Sequence, residues 1–142
     1  MSGFLLDTNI PSEIIRSRPD PRVNDWVRAQ NDEMLYLSAI TIGELRKGLT
    51  IMPEGKRRSQ LREWFTADLV PLFGARILPV TQAIAERWGT LSGQRQISGH
   101  LLGMTDGLIA ATALEHNLTL VTRNVRDYDG LGITILNPWE VV

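Results

Sequence analysis

The stretch TDGLIAATALEHNLTLVT, residues 105–122, joins two patterns that together decide the fold. From Thr105 to His116 it is alanine-rich and nearly all apolar, and a helix that is apolar all round has to be covered on more than one side. Leu118 to Thr122 then alternates small β-branched and large apolar residues, which reads as a strand. A covered helix that feeds directly into a strand belongs to a parallel sheet flanked by helices.

The same alternation continues outward in both directions. Upstream, residues 94–103 are the least regular part of the chain, and before them Thr81 is placed to cap a helix carrying Ile84, Trp88 and Leu91. Ile77 to Val80 reads as a third strand. Between Pro53 and Phe73, the residues Leu61, Trp64, Phe65, Leu69, Leu72 and Phe73 recur at helical spacing, with an interruption near Pro71 and an end at Gly74. Thr41 to Leu49 is read as a helix starting at Thr41, after a second strand at Met34 to Ser38.

At the N-terminal end, GFLL (residues 3–6) is the first strand, Asp7-Thr8-Asn9 a tight turn, and Pro11 favours a helix running to about Arg16. Pro19 and Pro21 break that pattern before a short helix on Val23, Trp26 and Val27. Downstream, Arg123 to Asp129 is polar and Ile133 to Leu136 is a fifth strand. The expectation is an α/β protein, one domain over residues 1–142, with strand order left open by local pattern.

Composition narrows the function. The 142 residues are 43% hydrophobic and contain no cysteine, which excludes disulfides, thiolate metal sites and cysteine nucleophiles and agrees with a cytoplasmic protein. No signal peptide can be drawn at the N-terminal end, and no apolar run approaches the roughly 18 residues of a membrane span. Fifteen Lys and Arg against sixteen Asp and Glu give a net charge of −1, so any nucleic-acid contact is local rather than a coat of positive charge. The basic cluster is Lys56, Arg57, Arg58 and Arg62, with Arg46 and Lys47 before it; its ordinary reading is a solvated helix face.

Three acids, Asp7, Glu44 and Asp106, stand at the starts of expected helices. Each has a local explanation: an Asx turn for Asp7, a Thr41-x-x-Glu44 capping box, and a first-turn acid at Asp106. In a parallel sheet, however, the carboxyl ends of strands and the starts of helices share one crevice. Carboxylates gathered there repel by about 4 kcal/mol per pair at about 4 Å and an effective dielectric of about 20, so the cluster calls for a cation or for protons. Oxygen ligands point to Mg²⁺ or Mn²⁺. Asn124 and Asp127, in the loop after the fourth strand, can overhang the same crevice. His100 and His116 are assigned no metal role, and no P-loop, dinucleotide or serine-hydrolase motif occurs.

The segments LLDTNIPSE, SAITIGELRKGL, TDGLIAATALEHNLTLVTRN and NPWE, in this order, resemble PIN-domain ribonucleases. More narrowly, the chain is similar to the VapC-type toxins of bacterial toxin-antitoxin pairs, and among them to the FitB-like subgroup. The resemblance spans nearly the whole sequence. It implies the PIN-domain fold, a five-stranded parallel sheet between helices, and an Mg²⁺- or Mn²⁺-dependent endoribonuclease. It also implies a homodimer held in a larger assembly by a VapB-like antitoxin, with operator DNA touched only through that antitoxin.

Asp7, Glu44 and Asp106 match the family's core acids, while a frequent fourth acid is replaced by Asn124. The resulting site is Asp7, Glu44, Asp106 and Asn124 for catalysis, with Asp7, Asp106, Glu44 and Asp127 as metal ligands and the metal count open between one and two. Thr8, Asn9 and Thr122 are expected as supporting or phosphate-binding groups. A signalling receiver domain is a competing α/β reading, but the lysine such domains carry after strand five is replaced here by Asn137-Pro138-Trp139. A PIN-like binding protein without catalysis is another.

Overall fold

A computed structural model describes residues 3–140 of the chain. Its strands are β1 (Phe4–Leu6), β2 (Leu35–Ser38), β3 (Ile77–Leu78), β4 (Thr119–Val121) and β5 (Ile135–Leu136), and they form one sheet in the order β3-β2-β1-β4-β5 with every pairing parallel. The chain moves outward from β1 through β2 to β3, then returns to the other side of β1 for β4 and β5. The reversal of direction falls between β1 and β4, and ligands of open parallel sheets bind outside the carboxyl ends of the strands at such a switch point.

The strands read as apolar runs because both faces of the sheet are covered. Side chains alternate across it: Leu6 and Val121 join Leu37, Leu45, Phe65 and Leu69 on one face, while Leu5 and Leu120 join Ile109, Ala110 and Ala113 on the other. The helices are α1 (Asn9–Ile14), α2 (Pro21–Ala29), α3 (Ala39–Ile51), α4 (Lys56–Glu63), α5 (Val70–Phe73), α6 (Gln82–Ile97) and α7 (Met104–Glu115). The seven-residue buried run of α7 from Gly107 to Ala113 is the apolar-all-round helix that residues 105–116 predict.

Three expectations need correction. The helix read as starting at Thr41 begins at Ala39, because the Ser38 hydroxyl accepts from the Ile40 N–H at 3.0 Å and serves as the cap. Thr41 is therefore inside the helix and fully buried, no capping box forms, and Glu44 lies in the second turn rather than the first. The stretch 94–103 is helical as far as Ile97, where α6 ends.

The helix expected within residues 53–73 starts at Lys56 and is interrupted near Pro71, as its sequence predicts. Pro71 has no N–H to offer the carbonyl four residues back and its ring crowds that carbonyl. A π-helical turn, Trp64–Leu69, precedes it, and the Val70 N–H reaches back five residues to the Phe65 carbonyl. Leu61, Phe65 and Leu69 of this helix are buried in the core. Gly74, at φ 48°, terminates it as expected. No helix among the described residues is long and apolar enough to cross a membrane.

Candidate functional site

Asp7 is the first residue past β1, and its N–H still donates to the Val121 carbonyl of β4 at 2.9 Å. That rung fixes its side chain at the switch point, only 4% exposed. Its Oδ1 accepts from the Thr8 N–H at 2.8 Å, and its Oδ2 accepts from the hydroxyls of Thr122, at 2.8 Å, and Tyr128, at 3.0 Å. Burial pushes the Asp7 carboxyl above the ordinary carboxylate range; these donors pull it back, and the charge of Glu44 pushes it up again.

Asp106 stands half-buried in the first turn of α7, with its Oδ1 3.2 Å from the same Tyr128 hydroxyl. Burial raises its pKa, and Asp7 and then Asp127 add to the effect. Glu44, on α3, is reached through Thr8, whose hydroxyl donates to Glu44 Oε1 at 2.5 Å and lies 3.1 Å from the Thr41 hydroxyl. Thr122 is saturated: it donates to Asp7 and accepts from the Asn124 N–H at 3.0 Å and the Asn9 amide at 3.2 Å.

The structure therefore joins Asp7 to Asp106 through Tyr128 and Asp7 to Glu44 through Thr8. Asn124 takes part by its backbone alone, and its side chain is on the exposed rim with that of Asp127. Among the described residues, no three acidic or histidine side chains stand close enough together to form a closed ligand set. The preorganised part is the pair Asp7 and Asp106.

Two observations make that pair fit a hard cation. Its donors are carboxylate oxygens, and the charged neighbours that shift Asp7 and Asp106 are all acids, so among the described residues no lysine or arginine offsets the charge of the pair. Tyr128 is the residue that sequence reasoning missed. It is 1% exposed on the short helical turn Val125–Tyr128, with its ring packed in the cluster of Leu5, Ile109 and Leu120. The available signal was a single aromatic in an otherwise polar loop. Burial and the two acids push the phenol far above its ordinary pKa, so it keeps its proton and acts as a donor.

The basic cluster is partly consumed by structural contacts. Arg57 donates to the Ile15 carbonyl, Arg58 faces Glu54 at 4.0 Å, and the Arg46 guanidinium lies 4.6 Å from the centre of the Phe65 ring. Lys47, Lys56 and Arg62 remain exposed.

The raised pKa values set a pH dependence for the protein without a cation. A carboxyl whose folded pKa exceeds its unfolded value binds more protons when folded, so stability is greatest below the unfolded value and is lost as pH rises through the folded one. Thermal melts in chelator are expected to show wild-type protein losing ground to Asp7→Asn as pH rises from about 4 towards 7. Parallel melting curves for the two proteins over that range would contradict the burial argument.

A parallel sheet of this strand order, with acids at its switch point, defines a doubly wound α/β protein with a candidate cation site. The PIN domain family model matches residues 4–129. The chain belongs to the PIN-domain family, in its branch of VapC- and FitB-type proteins. It is 41% identical over 137 residues to "VapC ribonuclease Y4jK" of Sinorhizobium fredii, covering 96% of this chain and 98% of that protein. Among solved structures, it superposes on FitAcB from Neisseria gonorrhoeae with a TM-score of 0.92 at 37% identity, over 97% of this chain and 99% of the other. FitAB bound to an IR36 DNA fragment matches with the same TM-score of 0.92 at 35% identity, over 98% and 97% of the two chains.

Proposed function

We propose that this chain is the toxin of a type II toxin-antitoxin pair, a single-domain Mg²⁺- or Mn²⁺-dependent endoribonuclease that hydrolyses RNA phosphodiester bonds with an activated water. The observation that carries the reading is the pair of buried Asp7 and half-buried Asp106 at the switch point of a PIN sheet, with no cation among the charged neighbours that shift them. The similarity to a VapC ribonuclease and to FitAB complexes supports the class of substrate and of partner.

A divalent ion bound there would lower the pKa of a water, orient it and neutralise charge on the phosphoryl oxygens. The chain's own residues prepare for that chemistry. Asp7 and Asp106 supply the oxygen ligands, and Glu44, held by Thr8, adds a ligand or orients the water as a base. Thr122 and Asn9 lock the Asp7 carboxylate and the loop that follows β4. Asn124 and Asp127, on the rim, complete the coordination or meet a phosphate. Exposed Lys47 on α3 and Arg126 on the rim give the RNA backbone local positive charge without altering the near-neutral total.

In this reading the toxin works in the cytoplasm as a homodimer, is silenced by a VapB-like antitoxin and meets operator DNA only through that partner. Trp64 remains half-buried beside a cleft of about 210 Å³ that reaches Thr8 and Glu44, a place where an antitoxin segment can approach the acids. The test is cleavage of a broad RNA panel by protein freed of antitoxin. Cutting should require Mn²⁺ or Mg²⁺, stop in EDTA, resume when the ion is restored and be blocked by the cognate antitoxin. Protein that cuts nothing, or cuts equally well in EDTA, would end the proposal.

A further inference from the structure

The Tyr128 hydroxyl is placed between buried Asp7 and half-buried Asp106, 3.0 Å from Asp7 Oδ2 and 3.2 Å from Asp106 Oδ1, so the two carboxylates share its single proton. The two acids depend on it unequally. Asp7 has further donors in the Thr8 N–H and the Thr122 hydroxyl, whereas Tyr128 is the only hydrogen-bond partner of the Asp106 carboxylate among the described residues. Without that hydroxyl, the Asp106 side chain would be fixed by its rotamer alone at the start of α7. The loop that presents Tyr128 is itself pinned from another helix: Arg95 of α6 donates to the carbonyls of Asp127, at 3.2 Å, and Asp129, at 2.7 Å, one on each side of the tyrosine.

We propose that Tyr128 is a positioning residue of the acidic centre, holding the Asp106 carboxylate beside that of Asp7 so that the pair is ready for a divalent cation, with Arg95 fixing the loop that carries it. This rests on the metal-dependent reading above. Groups that orient ligating side chains commonly govern affinity, and losing one typically costs about 10- to 100-fold in metal binding.

The experiment is a calorimetric titration of the full chain, freed of antitoxin, with Mn²⁺ alone, alongside circular dichroism and RNA cleavage over a range of Mn²⁺ concentrations. Tyr128→Phe keeps the buried ring and removes only the hydroxyl. Its Kd for Mn²⁺ is expected to rise about tenfold, with an unchanged spectrum and a cleavage rate that climbs back towards wild type at saturating Mn²⁺. That rescue by the ion is something a general structural defect would not give.

Wild-type protein that binds Mn²⁺ and cuts RNA while Tyr128→Phe binds equally well or more tightly overturns this proposal alone. Wild-type protein that binds no Mn²⁺ overturns it together with the proposed function. If Tyr128→Phe does not fold, Arg95→Ala decides: a several-fold weaker Kd supports the proposal and a wild-type Kd overturns it.

Discussion

RNA cleavage by Asp7→Asn is expected to fall by at least about 10²- to 10³-fold, the loss typical of removing one preorganised charge-stabilising group. The expectation follows from the surroundings of Asp7. It is the deepest of the acids, it is held by three donors to one orientation, and it is coupled electrostatically to both Glu44 and Asp106. An amide in its place keeps the shape, so β1 and its rung to Val121 should persist, but it removes the negative charge that makes the site attractive to a divalent ion. The variant should therefore show an intact circular dichroism spectrum, much weaker binding of Mn²⁺ and a metal-free protein less penalised at neutral pH. Undiminished Mn²⁺-dependent cutting would remove Asp7 from the site.

Gly107→Ala is expected to destabilise the protein by about 1–3 kcal/mol, the usual cost of forcing a methyl into a well-packed core. Gly107 is the residue after Asp106 and lies where α7 packs closely against α6. A Cβ there would sit 2.7 Å from Trp88 Cδ1, 2.9 Å from its Nε1 and 3.2 Å from Leu102 Cδ2. The indole is half-buried and Leu102 blocks the other side, so relief requires the first turn of α7 to move, and Asp106 moves with it. Melting should drop by roughly 2–4 °C per kcal/mol for a chain of this size, Trp88 fluorescence should change, and cleavage should fall along with stability. Gly89→Ala is the control, because a Cβ at that position on α6 meets nothing within 4 Å. There the better helix former should stabilise by roughly 0.5–1 kcal/mol. Equal effects from the two substitutions would refute the packing argument.

The elements were largely legible from residues alone. Apolar runs bounded by Gly, Pro and acids located all five strands, although they extended β3, β4 and β5 by a few residues at the ends, where pairing rather than composition decides the boundary. The start of α3 is ambiguous in sequence because Ser38 and Thr41 are both competent caps, and only the backbone around Ser38 selects between them. Asp7 follows a strand and Asp106 opens a helix, Glu44 lies one turn further into α3 than its sequence suggests, and the structure links all three through Thr8 and Tyr128. Tyr128 is not legible in sequence because its loop is polar and its burial depends on residues of β1 and α7 that local pattern does not connect to it.

By itself the sequence determined the α/β class, the run of strands and helices, and which acids end up at the carboxyl edge, since these depend on side-chain periods and caps read over a few residues. Tertiary structure alone decided the strand order that puts β4 beside β1, the hydroxyl of Tyr128 between Asp7 and Asp106, and the limited part played by the Asn124 side chain. The first two are contacts between residues more than a hundred positions apart or across different elements. Their formation depends on how whole layers pack, which no local pattern records.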